Sequence, residues 1–340
     1  MAMHCKGVRF TQLSEPEDVL AAMPGVVYRA VPLRTGAFHA SITSFDLGGI
    51  VFQTGECTPL IALAATGPDT VAVQLPLEGL ETLILNGRAV PPRVVGLYGA
   101  GGTLERANPR AARYAVLLLP LNVAEALLSP PSDSPLLRSG AQDLMQAHPH
   151  SWERAAELAR AAAATADADP RAFDGEEPRR SLRASLLHAV HELIAGPEGD
   201  ERPRIIRASP ARRRIVLAAD EYLRAEPARP IYTEDLCGVL GVSAARLAEA
   251  FHATFGVSPH RFLKLRRLAM ARASLRSHDG PAPLVKSVAL SHGFWHLGQF
   301  AHDYRALYGE APSDTLARAR RLTPDDDMAP GQARDAGDVP

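Results

Sequence analysis

The sequence predicts an α+β protein. An N-terminal antiparallel β-barrel with flanking helices is followed by an all-α C-terminal domain with two helix-turn-helix units joined by a long helix. Three observations carry this. Short β-branched and aromatic runs fill residues 25–120, the apolar period changes to three-to-four beyond Asn122, and a block of residues recurs 53 positions later. At 340 residues the chain exceeds one ordinary domain, so each half is expected to hold its own core.

The barrel rests on the runs Phe38–Ile42, Ile50–Phe52, Thr70–Leu75, Glu81–Leu85 and Tyr114–Leu119, set between Gly, Pro and Asn breaks. Asn86-Gly87 closes one hairpin, because a type I′ turn needs positive φ at both central positions. Strands at this spacing form a small antiparallel barrel or sandwich. Val123–Leu128, Trp152–Ala164 and Leu182–Ala195 then carry helical periodicity. These helices are expected either at a dimer seam or on the flank of the barrel. The expected organisation is a first domain over 1–196 (barrel about 25–120, helices about 121–196) and a polar linker over 197–210. A helical domain over 211–321 follows, then a disordered tail over 322–340 that carries Asp325-Asp326-Asp327.

Net charge is only −1, but it is unevenly spread. Residues 211–321 hold seventeen Lys and Arg against ten Asp and Glu, while the stretches before and after are acidic. A basic module on an acidic remainder is the pattern of a nucleic-acid binder. Cys5, Cys57 and Cys237 are too widely spaced for a metal or disulfide framework, which points to a reducing cytoplasm. Met1–Phe10 lacks the apolar core of a signal peptide, and the run Tyr114–Leu121 falls far short of a membrane span, so no membrane partner is expected.

The repeat is the most specific feature. Phe251, Phe255, Gly256 and Pro259 recur as Tyr304, Tyr308, Gly309 and Pro312, and Gly241 has its counterpart in Gly293. In the first copy Leu236 and Leu240 face inward beside small Cys237, Gly241 makes the tight turn, and Val242 plugs the angle. Ser243 caps a second helix whose inner face is Leu247, Ala250 and Phe251. The second copy follows with Val288, Ala289, Gly293, the plug Phe294, Phe300 and Tyr304. Trp295 is expected to pack in that turn. Between the copies a helix from Pro259 to about Ser277 would span roughly 28 Å, near the 34 Å between successive major grooves. Its Arg261, Lys264, Arg266, Arg267, Arg272 and Arg276 suit either phosphate contacts or a solvated face.

From Ile231 to Leu316 the chain resembles the AraC/XylS family of bacterial transcription regulators. The resemblance lies in Gly293-Phe294-Trp295-His296-Leu297-Gly298-Gln299-Phe300 and in Tyr308-Gly309-Glu310-Ala311-Pro312. It implies a seven-helix domain on asymmetric double-stranded DNA sites of about two helical turns. More weakly, the order of barrel and helices in 1–196 resembles the cupin-like effector and dimerisation domain of many members. The resemblance further implies a homodimer in the bacterial cytoplasm, at the nucleoid when bound. It favours an activator that contacts RNA polymerase over a repressor. By alignment the DNA-reading set is Ser243, Ala245, Arg246, Ala248, Glu249 and His252 in the first copy. In the second it is His296, Leu297, Gln299, Ala301 and His302, with Arg266 between. Glu249 stands where the family often has a cation. It either accepts from a cytosine amino group or repels phosphate. Gln299 suits adenine, and His302 stands where Arg is frequent in the family. Reading helices this poor in cations predict modest affinity per subunit.

An enzyme is not expected in the barrel. A cupin metal site needs several imidazoles, and His39 is alone within 25–120. No nucleophile elbow, Walker loop or dinucleotide fingerprint is present, so no cofactor or metal is expected. What remains is either a module for a small organic effector, with Arg34, His39 and Arg93 as candidate anion contacts, or a ligand-free dimerisation or protein-binding module.

Overall fold

The computed structural model describes residues 2–4, 7–15, 19, 26–33, 38–79, 82–128, 134–196, 203–206, 210–226, 229–276 and 284–322. The expected disordered tail beyond 322, most of the linker and Arg34 lie outside these residues.

Among the described residues fourteen strands form two antiparallel sheets. They are β1 (Ala2–His4), β2 (Val8–Leu13), β3 (Val26–Pro32), β4 (Ala40–Asp46), β5 (Val51–Cys57), β6 (Leu60–Thr66) and β7 (Thr70–Glu78). The others are β8 (Ile84–Leu85), β9 (Arg88–Ala89), β10 (Val94–Tyr98), β11 (Thr103–Asn108), β12 (Ala112–Pro120), β13 (Gln142–Gln146) and β14 (Arg204–Ile206). The large sheet runs β1-β2-β4-β5-β12-β7-β10-β13-β14 and the small one β3-β6-β11-β8-β9. The expected barrel is thus two facing sheets rather than one closed ring. The small sheet ends in a hairpin of two-residue strands, too short to continue the ladder, turning at Asn86 (φ 49°) and Gly87 (φ 73°) as the dipeptide predicts.

Period-2 alternation sends each strand's residues to two layers. Tyr28, Leu60 and Ala62 of the small sheet meet Ile42, Tyr98 and Tyr114 of the large one in the space between. On its outer face the large sheet packs Phe45, Phe52 and Val73 against α2 (Pro149–Ala168) and α3 (Glu176–Ala195), through Trp152, Ala156 and Leu186. The buried sides of α2 and α3 therefore serve as flank. A short helix, α1 (Leu121–Leu127), follows β12.

The C-terminal part has seven helices among the described residues: α4 (Pro210–Ala225), α5 (Thr233–Leu240), α6 (Ala244–Phe255), α7 (Pro259–Arg276), α8 (Val285–Ser291), α9 (Leu297–Tyr308) and α10 (Pro312–Leu322). Their core runs on without a break into the small sheet's outer face, where Leu33, Ile61 and Ala107 join it. The stretch read as linker carries β14, paired to β13 through Leu144 and Ile206. No described helix is long and apolar enough to cross a membrane.

Candidate nucleic-acid interface

Two copies of one unit are built as the repeat predicts. In the first, α5 ends at Gly241, whose φ of 61° lies in the left-handed region that penalises a side chain. The Ser243 hydroxyl then accepts from the Arg246 amide at 3.4 Å and caps α6. Leu247, Ala250, Phe251 and Phe255 are buried, and Phe251, Phe255 and Phe262 pack with ring centroids 5.0–5.6 Å apart. In the second, α8 turns at Gly293 (φ 76°) into α9, whose Phe300, Tyr304 and Tyr308 form a ladder behind Phe294. Gly256 and Gly309 end the two reading helices in the same left-handed conformation, and Pro259 and Pro312 each start the next helix.

The residues left outside are largely those aligned with DNA. Ser243, Ala245, Arg246, Glu249 and His252 are exposed on α6 and its cap, with Ala248 half-buried. His296, Leu297, Gln299, Ala301 and His302 are exposed on α9 and its cap. Each set therefore gathers on one rim. Besides the Ser243 cap, two of these side chains have side-chain partners within the protein. Glu249 accepts from the Arg212 Nε of α4 at 2.9 Å, and the Gln299 amide donates to Asp303 at 3.0 Å. The Glu249 charge is thus partly neutralised, which the sequence does not signal because Arg212 lies on another helix.

Arg266, the residue aligned between the two copies, has partners within the protein. Its guanidinium donates to the Leu223 carbonyl at 2.7 Å and the Glu226 carbonyl at 3.0 Å, so it caps the C-terminus of α4. The other cations of α7 are also spent inside the protein. Arg261 donates to the Leu33 carbonyl, Lys264 lies 2.7 Å from Asp303, and Arg267 stacks over Tyr232 and Phe294. Arg272 is clamped between Glu15 and Glu310, and Arg276 approaches Glu15 at 3.7 Å. Burial alone raises the Glu310 carboxyl, but hydrogen bonds from Arg318 and Thr315 and the charge of Arg272 hold it below the ordinary carboxylate value. The physical reason for these internal roles is that α7 is the central helix, with nine buried residues among its eighteen.

Trp295 also departs from expectation. It is 73% exposed beside the cap of α9, while Phe294 takes the packing role in the turn. Arg246, Lys286 and Arg305 are exposed without an ion-pair partner among the described residues. Arg246 belongs to the set aligned with DNA, whereas Lys286 and Arg305 are not singled out from the sequence. Among the described residues no cluster of three His, Cys, Asp or Glu is arranged to hold a metal. His39 and Arg93 are exposed.

Comparison with known proteins agrees with this geometry. A helix-turn-helix domain family matches residues 236–318. "XylDLEGF operon transcriptional activator 2" of Pseudomonas putida is 33% identical over 116 residues, covering 34% of this chain and 71% of that protein. "Probable thc operon regulatory protein" of Rhodococcus erythropolis is 34% identical over 124 residues, 36% of this chain, and the chain spans only 37% of that relative's length. A probable AraC family transcriptional regulator from Rhodopseudomonas palustris, a solved structure, is 42% identical over 31% of this chain and 97% of its own, with a TM-score of 0.29. Two turn-matched helix pairs and a relative of this identity, covered over more than two thirds of its length, lead to one assignment: the chain belongs to the AraC/XylS family of helix-turn-helix transcriptional regulators.

Proposed function

We propose that the protein is a sequence-specific DNA-binding regulator of transcription, acting as an activator under the control of a small molecule held by its N-terminal half. The observation that carries the reading is the pair of exposed rims on α6 and α9, displayed by two copies of the same unit. An α-helix with one exposed face is the shape that a major groove admits. In this reading residues 211–321 bind double-stranded DNA, 197–210 connect, and 1–196 sense the effector and pair with a second copy. RNA polymerase is the protein partner, and the bacterial cytoplasm, at the nucleoid, is the place of action.

Effector control is supported by how the halves meet. β11 lines the space between the sheets with one face and lies against the DNA-binding helices with the other. The test is genome-wide footprinting with the full-length protein. Protected sites of about two helical turns, upstream of genes whose expression the protein alters, are the expected result. Binding that follows only DNA length and salt, with no enriched site, would refute the reading.

A further inference from the structure

Trp295 and Leu297 stand at the start of α9 with 73% and 37% of their surface exposed. They are two of six large apolar side chains left exposed among the described residues, and no residue of α6 is among the six. The backbone beneath them is fixed. The Phe294 amide donates to the Ala289 carbonyl at 2.9 Å, and the Phe300 amide to the His296 carbonyl at 2.9 Å. The Gly293 carbonyl accepts from the Tyr232 hydroxyl at 3.3 Å and from Arg267 at 3.4 Å. Phe294 and Phe300, with ring centroids 4.9 Å apart, anchor the turn from inside. Two apolar side chains are thus held out into solvent by a well-braced turn.

The first turn of α9 has few groups with which to read a base by hydrogen bonds. Gly298 carries no side chain, and a methyl placed there would touch nothing within 4 Å. Gln299 already donates to Asp303 at 3.0 Å, and Asp303 is itself held by Lys264 at 2.7 Å. Yet this is the end of the helix that enters a major groove. On the base-pair edges of that groove the apolar group is the C5-methyl of thymine. Burying a methyl against an apolar side chain is favourable, whereas burying an unpaired amino or carbonyl group there is not. We propose that Trp295 and Leu297 form an apolar reader that closes on the C5-methyl of thymine and gives the α9 half of the DNA site a preference for T·A over C·G pairs. A protein partner is the rival occupant of this patch. DNA is favoured because the patch is continuous with His296, Gln299, Ala301 and His302 on the same rim. The assignment rests on the DNA-binding reading above and narrows it to a base preference.

Fluorescence anisotropy of the full-length protein on a footprinted site tests it. One thymine at a time is replaced by deoxyuridine, which lacks only the methyl group. At one or two adjacent thymines in one half of the site the replacement weakens binding by about threefold to fivefold, as expected for one buried methyl. Trp295→Ala weakens the unmodified site by about tenfold and abolishes the deoxyuridine penalty at those positions, because the two changes remove the same contact. Leu297→Ala reduces that penalty in the same way. At the same position 5-methylcytosine paired with guanine binds better than cytosine paired with guanine, since the methyl returns. Deoxyuridine without effect at every thymine, or a penalty that survives both substitutions, overturns the proposal. A Trp295→Ala protein that binds the site as tightly as the wild type but no longer activates transcription assigns the patch to a protein partner and overturns it too. A footprinted site without a methyl penalty removes only the thymine reader, whereas the absence of any enriched site removes the DNA-binding reading beneath it.

Discussion

Glu105 is the neighbour of Arg106 on β11 and faces the opposite way, toward α4 and α6, where it is 1% exposed. Burial pushes its carboxyl up to about 7, against the opposing pull of the Arg213 charge and a hydrogen bond from Thr103. The folded protein therefore holds this proton up to about pH 7, while the unfolded chain releases it near 4.5. Stability from this group is greatest below that range and falls as pH rises through it, by up to about 3 kcal/mol. Glu105→Gln flattens this slope, so urea midpoints at pH 5 and pH 8 lie closer together than in the wild type. An unchanged slope would place the carboxyl in water. Trp295 yields a prediction of the opposite kind. Because it packs against little, Trp295→Ala changes stability by less than about 0.5 kcal/mol. It still weakens binding to a footprinted site, as fluorescence anisotropy would show. Arg266→Ala does the reverse: it lowers stability by about 1–2 kcal/mol through the lost α4 cap, and the salt slope of DNA binding stays as it was.

The two helix-turn-helix elements are equivalent in sequence but not in their surroundings. A methyl group at Gly241 would meet nothing within 4 Å, whereas at Gly293 it would lie 2.5 Å from the Tyr232 hydroxyl and 3.0 Å from Pro230. Both substitutions to Ala suffer the left-handed strain of about 1–2 kcal/mol. Gly293→Ala adds a steric clash, so its denaturation midpoint falls well below that of Gly241→Ala. Equal losses would mean that the second turn has room to adjust. The repeat, both turns and the caps are legible in the sequence because they depend on local backbone geometry that only certain residues satisfy. The fate of α7's cations is not legible, since Arg266 finds its carbonyls on α4 and Arg272 finds Glu15 some 257 residues away. Charge shows that a helix is cationic, but the partners that consume the charge are set by tertiary packing. The same applies to Glu249, whose partner Arg212 sits on α4. Glu249→Gln removes one negative charge from the α6 rim and releases Arg212. It should tighten DNA binding and steepen the salt dependence by about one unit of slope.

At the scale of the whole molecule, four layers follow one another: α2 with α3, the large sheet, the small sheet, and the seven C-terminal helices. Strand alternation predicts a two-sided β layer, but the sequence leaves α2 and α3 open between a dimer seam and the flank of a barrel. It does not predict that the small sheet's outer face is the floor of the helical core, because Leu33, Ile61 and Ala107 read as ordinary strand residues. An ion pair between Arg29 of β3 and Asp220 of α4 and a bond from Arg213 to the Thr103 hydroxyl reinforce the same seam. In the proposed reading, a ligand that shifted β11 from inside would act on α4 and α6 directly across this seam. The seam has a thermodynamic consequence. Ile61 is fully buried in the helical core while its backbone belongs to β6. Ile61→Ala leaves a cavity costing about 2–4 kcal/mol, and both halves share that loss if the seam is part of one core. Differential scanning calorimetry of the full chain should then show a single transition, its midpoint lowered by roughly 4–8 °C by the substitution. Two transitions, of which only the sheet's moves, would mean that the halves fold independently and that β11 cannot carry a signal between them.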